Sequence, residues 1–262
     1  MDEEPVLKVE NLSFQYRNGN HVLHDISFTL DEPGLTCIVG PNGVGKSTLI
    51  KCVNGLLKPT SGKVEVMGRD VSEYKLKELA KIVGYVPVLS ATYNVMTVLD
   101  AVIIGRYARQ KWRTTPEDIE IAHSALEAME IDDLAMRNFN ELSAGQHQKV
   151  SLARGLVQEP RIMLLDEPTS NLDVRHQLFV SDFLKRLSKK TGINVLMISH
   201  DLNLAAKFSD NLLVLEKPGR LYGFGKPSDI ISEDMLKRVY NVESEVVEDH
   251  GAPHVVLQSV GL

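Results

Sequence analysis

Residues 40 to 48 read Gly-Pro-Asn-Gly-Val-Gly-Lys-Ser-Thr, a complete G-x-x-x-x-G-K-[ST] phosphate-binding loop. Such a loop works only between a strand and a helix, and the flanks comply. Leu35 to Val39 is a short apolar run that reads as a buried strand, and Ser47 to Val53 reads as a helix leaving the loop. Gly40, Gly43 and Gly45 allow positive φ and a close approach of backbone N–H groups to an anion. Lys46 then places a cation on the β- and γ-phosphates, and the Ser47 hydroxyl is positioned to ligate Mg²⁺. The chain is thereby constrained to an α/β core that holds a nucleoside triphosphate.

At 262 residues it has length for one large domain or two interleaved ones. A net charge of −6 and a pI near 5.8 supply no general basic field, so nucleic acid is not expected as a partner. No apolar run reaches the roughly 18 to 20 residues of a membrane-spanning helix, and Met1-Asp2-Glu3-Glu4-Pro5 is acidic where a secretory signal is basic, so the chain is expected in the cytosol. Cys37 and Cys52 are expected as small buried hydrophobes in a reducing compartment.

Along the chain, Val6, Val9, Leu12 and Phe14, then Val22, Leu23, Ile26 and Phe28, alternate as strands around Asn18-Gly19-Asn20, implying an antiparallel piece ahead of the loop. Gly55 closes the following helix, and Pro59 to Gly62 reads as a turn before a strand at Lys63 to Met67. From about residue 88 to 157 the pattern turns helical. Thr115-Pro116-Glu117-Asp118 starts a helix whose Ile119, Ala122, Leu126 and Met129 share one core face. After Pro160 the continuous apolar runs Ile162–Leu165, Val195–Ile198 and Leu212–Leu215 read as central strands covered on both faces.

Asp166 and Glu167 end the first of those runs, at the carboxyl edge where ligands of open sheets bind. Asp166 is the metal-side carboxylate and Glu167 the general base for an attacking water. His200 ends the second run in the equivalent place, able to hydrogen-bond a γ-phosphate and orient the water or base. Ser143 with Gln146 three residues on is a capping box, and the same helix N-terminus, with Ala144 and Gly145 clearing its approach, is equally a second anion site. Spacing alone leaves both open.

GPNGVGKST, LSAGQ, IMLLDEP, Ser170-Asn171-Leu172-Asp173 and ISHD, in that order across the whole chain, resemble the nucleotide-binding subunit of an ABC transporter. The resemblance implies a P-loop NTPase (RecA-like) core with an N-terminal antiparallel β subdomain and an inserted ABC-type helical subdomain. On that template residues 1–88 and 158–241 form the core, 89–157 the helical insertion and 242–262 a small peripheral β extension. It also implies an ATPase that uses Mg²⁺ and works as a head-to-tail homodimer. Gly40, Pro41, Asn42, Gly43, Val44, Gly45, Lys46, Ser47 and Thr48 hold the ATP phosphates, and Tyr16 matches the aromatic that stacks on adenine. Ser47 and Asp166 serve Mg²⁺, with Glu167, His200 and Lys46 catalytic. Ser143, Ala144, Gly145 and Gln146 contact the partner's ATP, while Asp173 lies in the loop joining the two sites. The subunit would sit peripherally on the cytoplasmic side of the cell membrane, against integral permease subunits and, through them, a substrate-binding protein.

Two positions depart from the family pattern. Ala144 stands where the signature has a glycine, tolerable unless that residue needs positive φ. Val88 stands where Tyr85-Val86-Pro87 normally leads to a glutamine touching Mg²⁺ and the water, and valine neither donates nor accepts. The metal shell is then expected to be completed by water, with turnover or coupling weakened, and an ATP-sensing module with little hydrolysis is the alternative. Met96 to Arg106 and HDLNLAAKFSD are similar to importers of ferric siderophores, haem and vitamin B12, with the permease contact expected at about residues 89 to 110. Sustained heptads and C-x-x-C motifs of chromosome or repair ATPases are missing from the sequence. His250 and His254 flank a turn in the tail and read as solvated.

Overall fold

The computed structural model describes residues 4–88, 96–109, 113–170 and 172–260. The chain starts with strand β1 (Leu7–Gln15), which pairs antiparallel with β2 (His21–Leu30). Their alternation breaks between Val9 and Leu12 because Asn11 sits at φ 49 in a bulge, so Leu7, Val9, Leu12 and Phe14 all still face inward. Strand β3 (Leu35–Val39) then enters the phosphate loop, and α1 (Lys46–Val53) leaves it. Strand β4 (Ser61–Val66) pairs with β1 and with the short β5 (Arg69–Asp70). It begins at Ser61, earlier than the turn expected over Pro59 to Gly62, because Ser61 still pairs with Ser13 across the bulge.

After α2 (Leu76–Leu79) and β6 (Val83–Val86) come three helices, α3 (Val98–Ile103), α4 (Pro116–Ala128) and α5 (Ala144–Leu156). Thr115 caps α4 with Pro116 in its first turn, and Ala122, Leu126 and Met129 are fully buried. Ile119 departs from the expected core face. It is 39% exposed, while Asp118 beside it takes the buried position of that turn against Arg106.

Strand β7 (Ile162–Leu165), helix α6 (Val174–Thr191), β8 (Asn194–Ile198), α7 (Leu202–Phe208), β9 (Asn211–Glu216) and β10 (Arg220–Gly225) complete a six-stranded sheet in the order β10-β9-β3-β8-β7-β6. All its ladders are parallel except β9 with β10. Its strands read as unbroken apolar runs because each face has its own core. Cys37, Met163, Leu165, Met197 and Val214 pack toward the helices, while Ile38, Leu164, Ile198 and Leu213 pack toward β1, β2 and α1. Helices α8 (Pro227–Ile230) and α9 (Glu233–Tyr240) lead into a hairpin of β11 (Val242–Asp249) and β12 (Ala252–Val260). The hairpin is less peripheral than its sequence suggested: it packs on α7, α8 and α9, and Val255 is buried. Among the described residues no helix is long and apolar enough to cross a membrane.

Candidate functional site

Strand order brings the motifs together. β3, β8 and β7 are neighbours, so the phosphate loop, His200 and the Asp166-Glu167 pair emerge side by side at one carboxyl edge of the sheet. The loop is held in a shape that demands glycine. Gly40 has φ 147 and a side chain there would lie 2.4 Å from the Leu215 carbonyl; Gly45 has φ 111 and would press a Cβ to 2.7 Å from Leu23. Tyr240, half-buried at the end of α9, accepts the Gly40 N–H on its hydroxyl, and desolvation raises its pKa.

Lys46 is buried, and its ammonium donates to the carbonyls of Gly40 at 2.7 Å and Pro41 at 3.0 Å, which pins the side chain along the loop. Burial lowers its pKa, opposed by the charges of Glu167 and Asp166. The Ser47 hydroxyl donates to Asp166 Oδ1 at 2.9 Å. Burial raises the Asp166 pKa, with the Ser47 hydrogen bond pulling the other way. Tyr85, which sequence reasoning had used only as a marker, hydrogen-bonds Asp166; burial first, then that carboxylate, pushes its phenol up to about 12.

Glu167 adopts φ 54, a left-handed conformation that costs a non-glycine residue free energy and turns up at functional sites. Its Oε1 lies 2.6 Å from His200 Nε2. Tyr16 reaches across the loop, its hydroxyl 3.2 Å from Thr48 Oγ1 and its ring edge-on to Phe14. A cleft of about 550 Å³ is lined by Tyr16, Lys46, Ser47, Thr48, Glu167 and His200, together with Asn42, Gly43 and Gly45 of the loop. Asn20 and Val22 also line it, residues that carry no motif and that only the β1–β2 turn brings there.

The second motif stands apart from this cleft. Ser143 caps α5: the Gln146 N–H donates to its Oγ at 3.3 Å and the Ser143 N–H donates to Gln146 Oε1 at 2.9 Å. Ser143 and Ala144 are exposed. Ala144 is the first residue of the helix and has no positive φ, so its methyl group brings no backbone strain. Asp173 caps α6 and accepts from His176 twice, from the backbone N–H at 2.9 Å and at the ring Nδ1 at 2.8 Å. That contact holds the His176 ring against Gly145, 3.2 Å from where a Cβ would lie. Sequence reasoning passed over His176; its place three residues after a capping Asp was the available signal. Val88 is 39% exposed and adds no donor or acceptor. Asn171 lies outside the described residues.

Residues 23–170, more than half of the chain, match the family model for the ABC transporter. The chain belongs to the ABC transporter family. This ABC ATPase is 43% identical over 251 residues to an uncharacterized ABC transporter ATP-binding protein of Methanocaldococcus jannaschii, covering 96% of this chain and 97% of that one. It is 37% identical to the hemin import ATP-binding protein of Rhizobium meliloti, with 92% and 94% covered, and 34% identical to the ferric enterobactin transport ATP-binding protein of Escherichia coli K12, with 95% and 93% covered. Among solved structures, an inward-facing ABC transporter described as of metal-chelate type superposes with a TM-score of 0.84 at 27% identity, covering 98% of both chains. A dimeric bacterial ABC transporter cassette superposes with a TM-score of 0.75 at 28% identity, covering 84% of this chain and 98% of that one. The reaction of this ABC ATPase is the hydrolysis of ATP, and cassettes of its kind bind the nucleotide and dimerise.

Proposed function

We propose that this subunit powers import of a metal chelate, an iron-siderophore, haem or cobalamin, through separate permease subunits and a substrate-binding protein, from a peripheral seat on the cytoplasmic side of the membrane. The cargo class follows the hemin and ferric enterobactin relatives and the metal-chelate-type structure. In this reading residues 1–88 and 158–241 form the nucleotide-binding core, 89–157 the helical subdomain and 242–262 the C-terminal extension. Tyr16 stacks on adenine, Gly40 to Thr48 hold the phosphates, and Lys46 neutralises charge as the terminal phosphate leaves. Ser47 and Asp166 present two hard oxygens within hydrogen-bond distance of each other, a donor set that suits Mg²⁺, which supplies charge neutralisation on the phosphates. Glu167 takes a proton from water, and His200, 2.6 Å away, holds the carboxylate in place.

One observation carries the dimeric part of this reading. Ser143 and Ala144 are exposed and do not line the cleft that holds Lys46, so an anion at the N-terminus of α5 belongs to another copy's nucleotide. A head-to-tail pair places Ser143, Ala144, Gly145 and Gln146 of one copy over the phosphate loop of the other, with Asp173 beside the junction. The permease contact is proposed at about residues 89 to 110, of which 96–109 are described. Ile104 and Tyr107 are exposed there, and the Lys77 ammonium lies 5.5 Å from the centre of the Tyr107 ring. Arg106 is not part of that surface, because it is buried on Asp118.

The test is complementation. Lys46→Ala and Ser143→Arg, each inactive alone, are mixed and phosphate release is followed. In a head-to-tail dimer half of the pairs are mixed and each retains one intact site, so about a quarter of wild-type activity returns. No recovery would sink the shared-site reading. Copurification of the chain with permease subunits from a gentle membrane extract tests the transporter assignment, and ATP binding with negligible release of phosphate would favour a sensor.

A further inference from the structure

His200 lies two residues beyond the end of β8 and two residues before the start of α7, so whatever fixes α7 restrains the imidazole. At seven residues, α7 is under two turns long and has little stability of its own. Its first turn is tied locally: Asp201 Oδ1 accepts the Leu204 N–H at 2.9 Å, and Ser199 Oγ donates to the Asp201 carbonyl at 3.0 Å. One tie reaches much further along the chain. Asn203 Nδ2 donates to the Val255 carbonyl at 3.1 Å, and the Val255 N–H donates to Asn203 Oδ1 at 2.7 Å.

These two bonds use one carboxamide as though it were the peptide group of a third strand. Val255 is in register with Val246 of β11, yet both its backbone groups turn away from that strand toward α7, because in an antiparallel ladder they point the same way. Val255 is only 6% exposed, so without Asn203 its N–H and carbonyl would be left buried and unpartnered. Aspartate would supply the acceptor alone, and an apolar side chain neither.

The tie and the Glu167–His200 pair stand in the wall of one cavity of about 450 Å³, whose lining includes Glu167, His200, Asn203, Val255 and Leu257. We infer that Asn203 is a positioning residue for ATP hydrolysis: by hanging α7 on β12 it holds His200 Nε2 at 2.6 Å from Glu167 Oε1. It touches no reacting atom and acts through His200, and the inference rests on the roles proposed above for Glu167 and His200. A hydrogen bond of 2.6 Å is lost once its atoms drift about 1 Å further apart, so a loosened helix end is enough to break it. The C-terminal hairpin thereby becomes part of the catalytic apparatus at one remove.

Steady-state hydrolysis on the full chain tests this, with Asn203→Ala, His200→Ala and the double variant compared and folding followed by circular dichroism. Asn203→Ala is expected to lower kcat about tenfold while KM for ATP stays within about twofold, since the phosphate loop is untouched, and to add nothing in the His200→Ala background. Val255→Pro removes the N–H that Asn203 accepts without breaking the β11 ladder, lowers kcat in the same way, and provides the same test where Asn203→Ala is poorly folded. Wild-type kcat in a folded Asn203→Ala, or an equal loss with and without His200, would overturn the inference. A wild-type kcat for His200→Ala would instead overturn the reading of His200, and this inference with it.

Discussion

Glu167 Oε1 and His200 Nε2 lie 2.6 Å apart although 33 positions separate the two residues, because each lies two residues beyond one of the neighbouring parallel strands β7 and β8. The Glu167 backbone is left-handed at φ 54, which aims the carboxylate along the edge of the sheet toward the histidine. Glu167→Gln keeps the shape and hydrogen-bonding capacity of the side chain but removes its basicity. It is expected to lower kcat for ATP by about 10² to 10⁴ while leaving ATP binding intact, measured by phosphate release beside nucleotide affinity. A variant that turns over at the wild-type rate would remove Glu167 from its role as base.

Val88 places an isopropyl group where the family has a carboxamide, and its 39% exposure leaves room for a longer side chain. Val88→Gln restores an acceptor oxygen. If that oxygen reaches the metal or the water it contributes about 1 kcal/mol, so kcat or transport coupling should rise about fivefold. Equal activities would show that the valine costs this enzyme nothing.

Arg106 and Asp118 form an ion pair of 2.9 Å with side chains only 8% and 7% exposed, and Asp118 Oδ2 accepts from Thr115 at the start of α4. Asp118→Asn breaks the pair and weakens the cap, with an expected loss of about 3 kcal/mol by denaturant titration. Hydrogen bonding to Arg106 holds the Asp118 pKa below its usual value. Its contribution is therefore complete above the unfolded carboxylate pKa of about 3.9 and fades as pH falls through the lower folded value. The stability gap between wild type and variant should be constant from pH 5 to 7 and shrink below about 4.

Cys37 and Cys52 are buried and unpaired, and burial pushes both thiols up to about 12. At pH 8 such thiols stay almost entirely protonated, so the native protein should resist a thiol-specific disulfide reagent that titrates two groups after denaturation. Rapid native reaction would mean that one of these strands or helices opens readily.

Local chemistry was legible in the linear order of residues wherever one short segment contained its own cause. The phosphate loop between β3 and α1, the Thr115 and Ser143 caps and the doubly apolar strands all depend on neighbours within about four positions. Ile119 was misplaced because apolar periodicity passes over its charged neighbour Asp118, which takes the buried position of that turn against Arg106. The tail was read as a peripheral β element without this contact for a related reason: nothing near Val255 announces that Asn203, 52 positions away, completes its backbone hydrogen bonds.

Sequence alone determined that a glycine-rich loop of phosphate-binding type joins a strand to a helix, and which residue types the motifs offer around it. Tertiary structure decided which of them meet. The order β3-β8-β7 put His200 on Glu167, the packing of α6 on α5 put His176 over Gly145, and α7 put Asn203 on the C-terminal hairpin. Those contacts join residues whose separation in the chain carries no periodic signal, so only the stacking of strands and helices around two shared cores could select them.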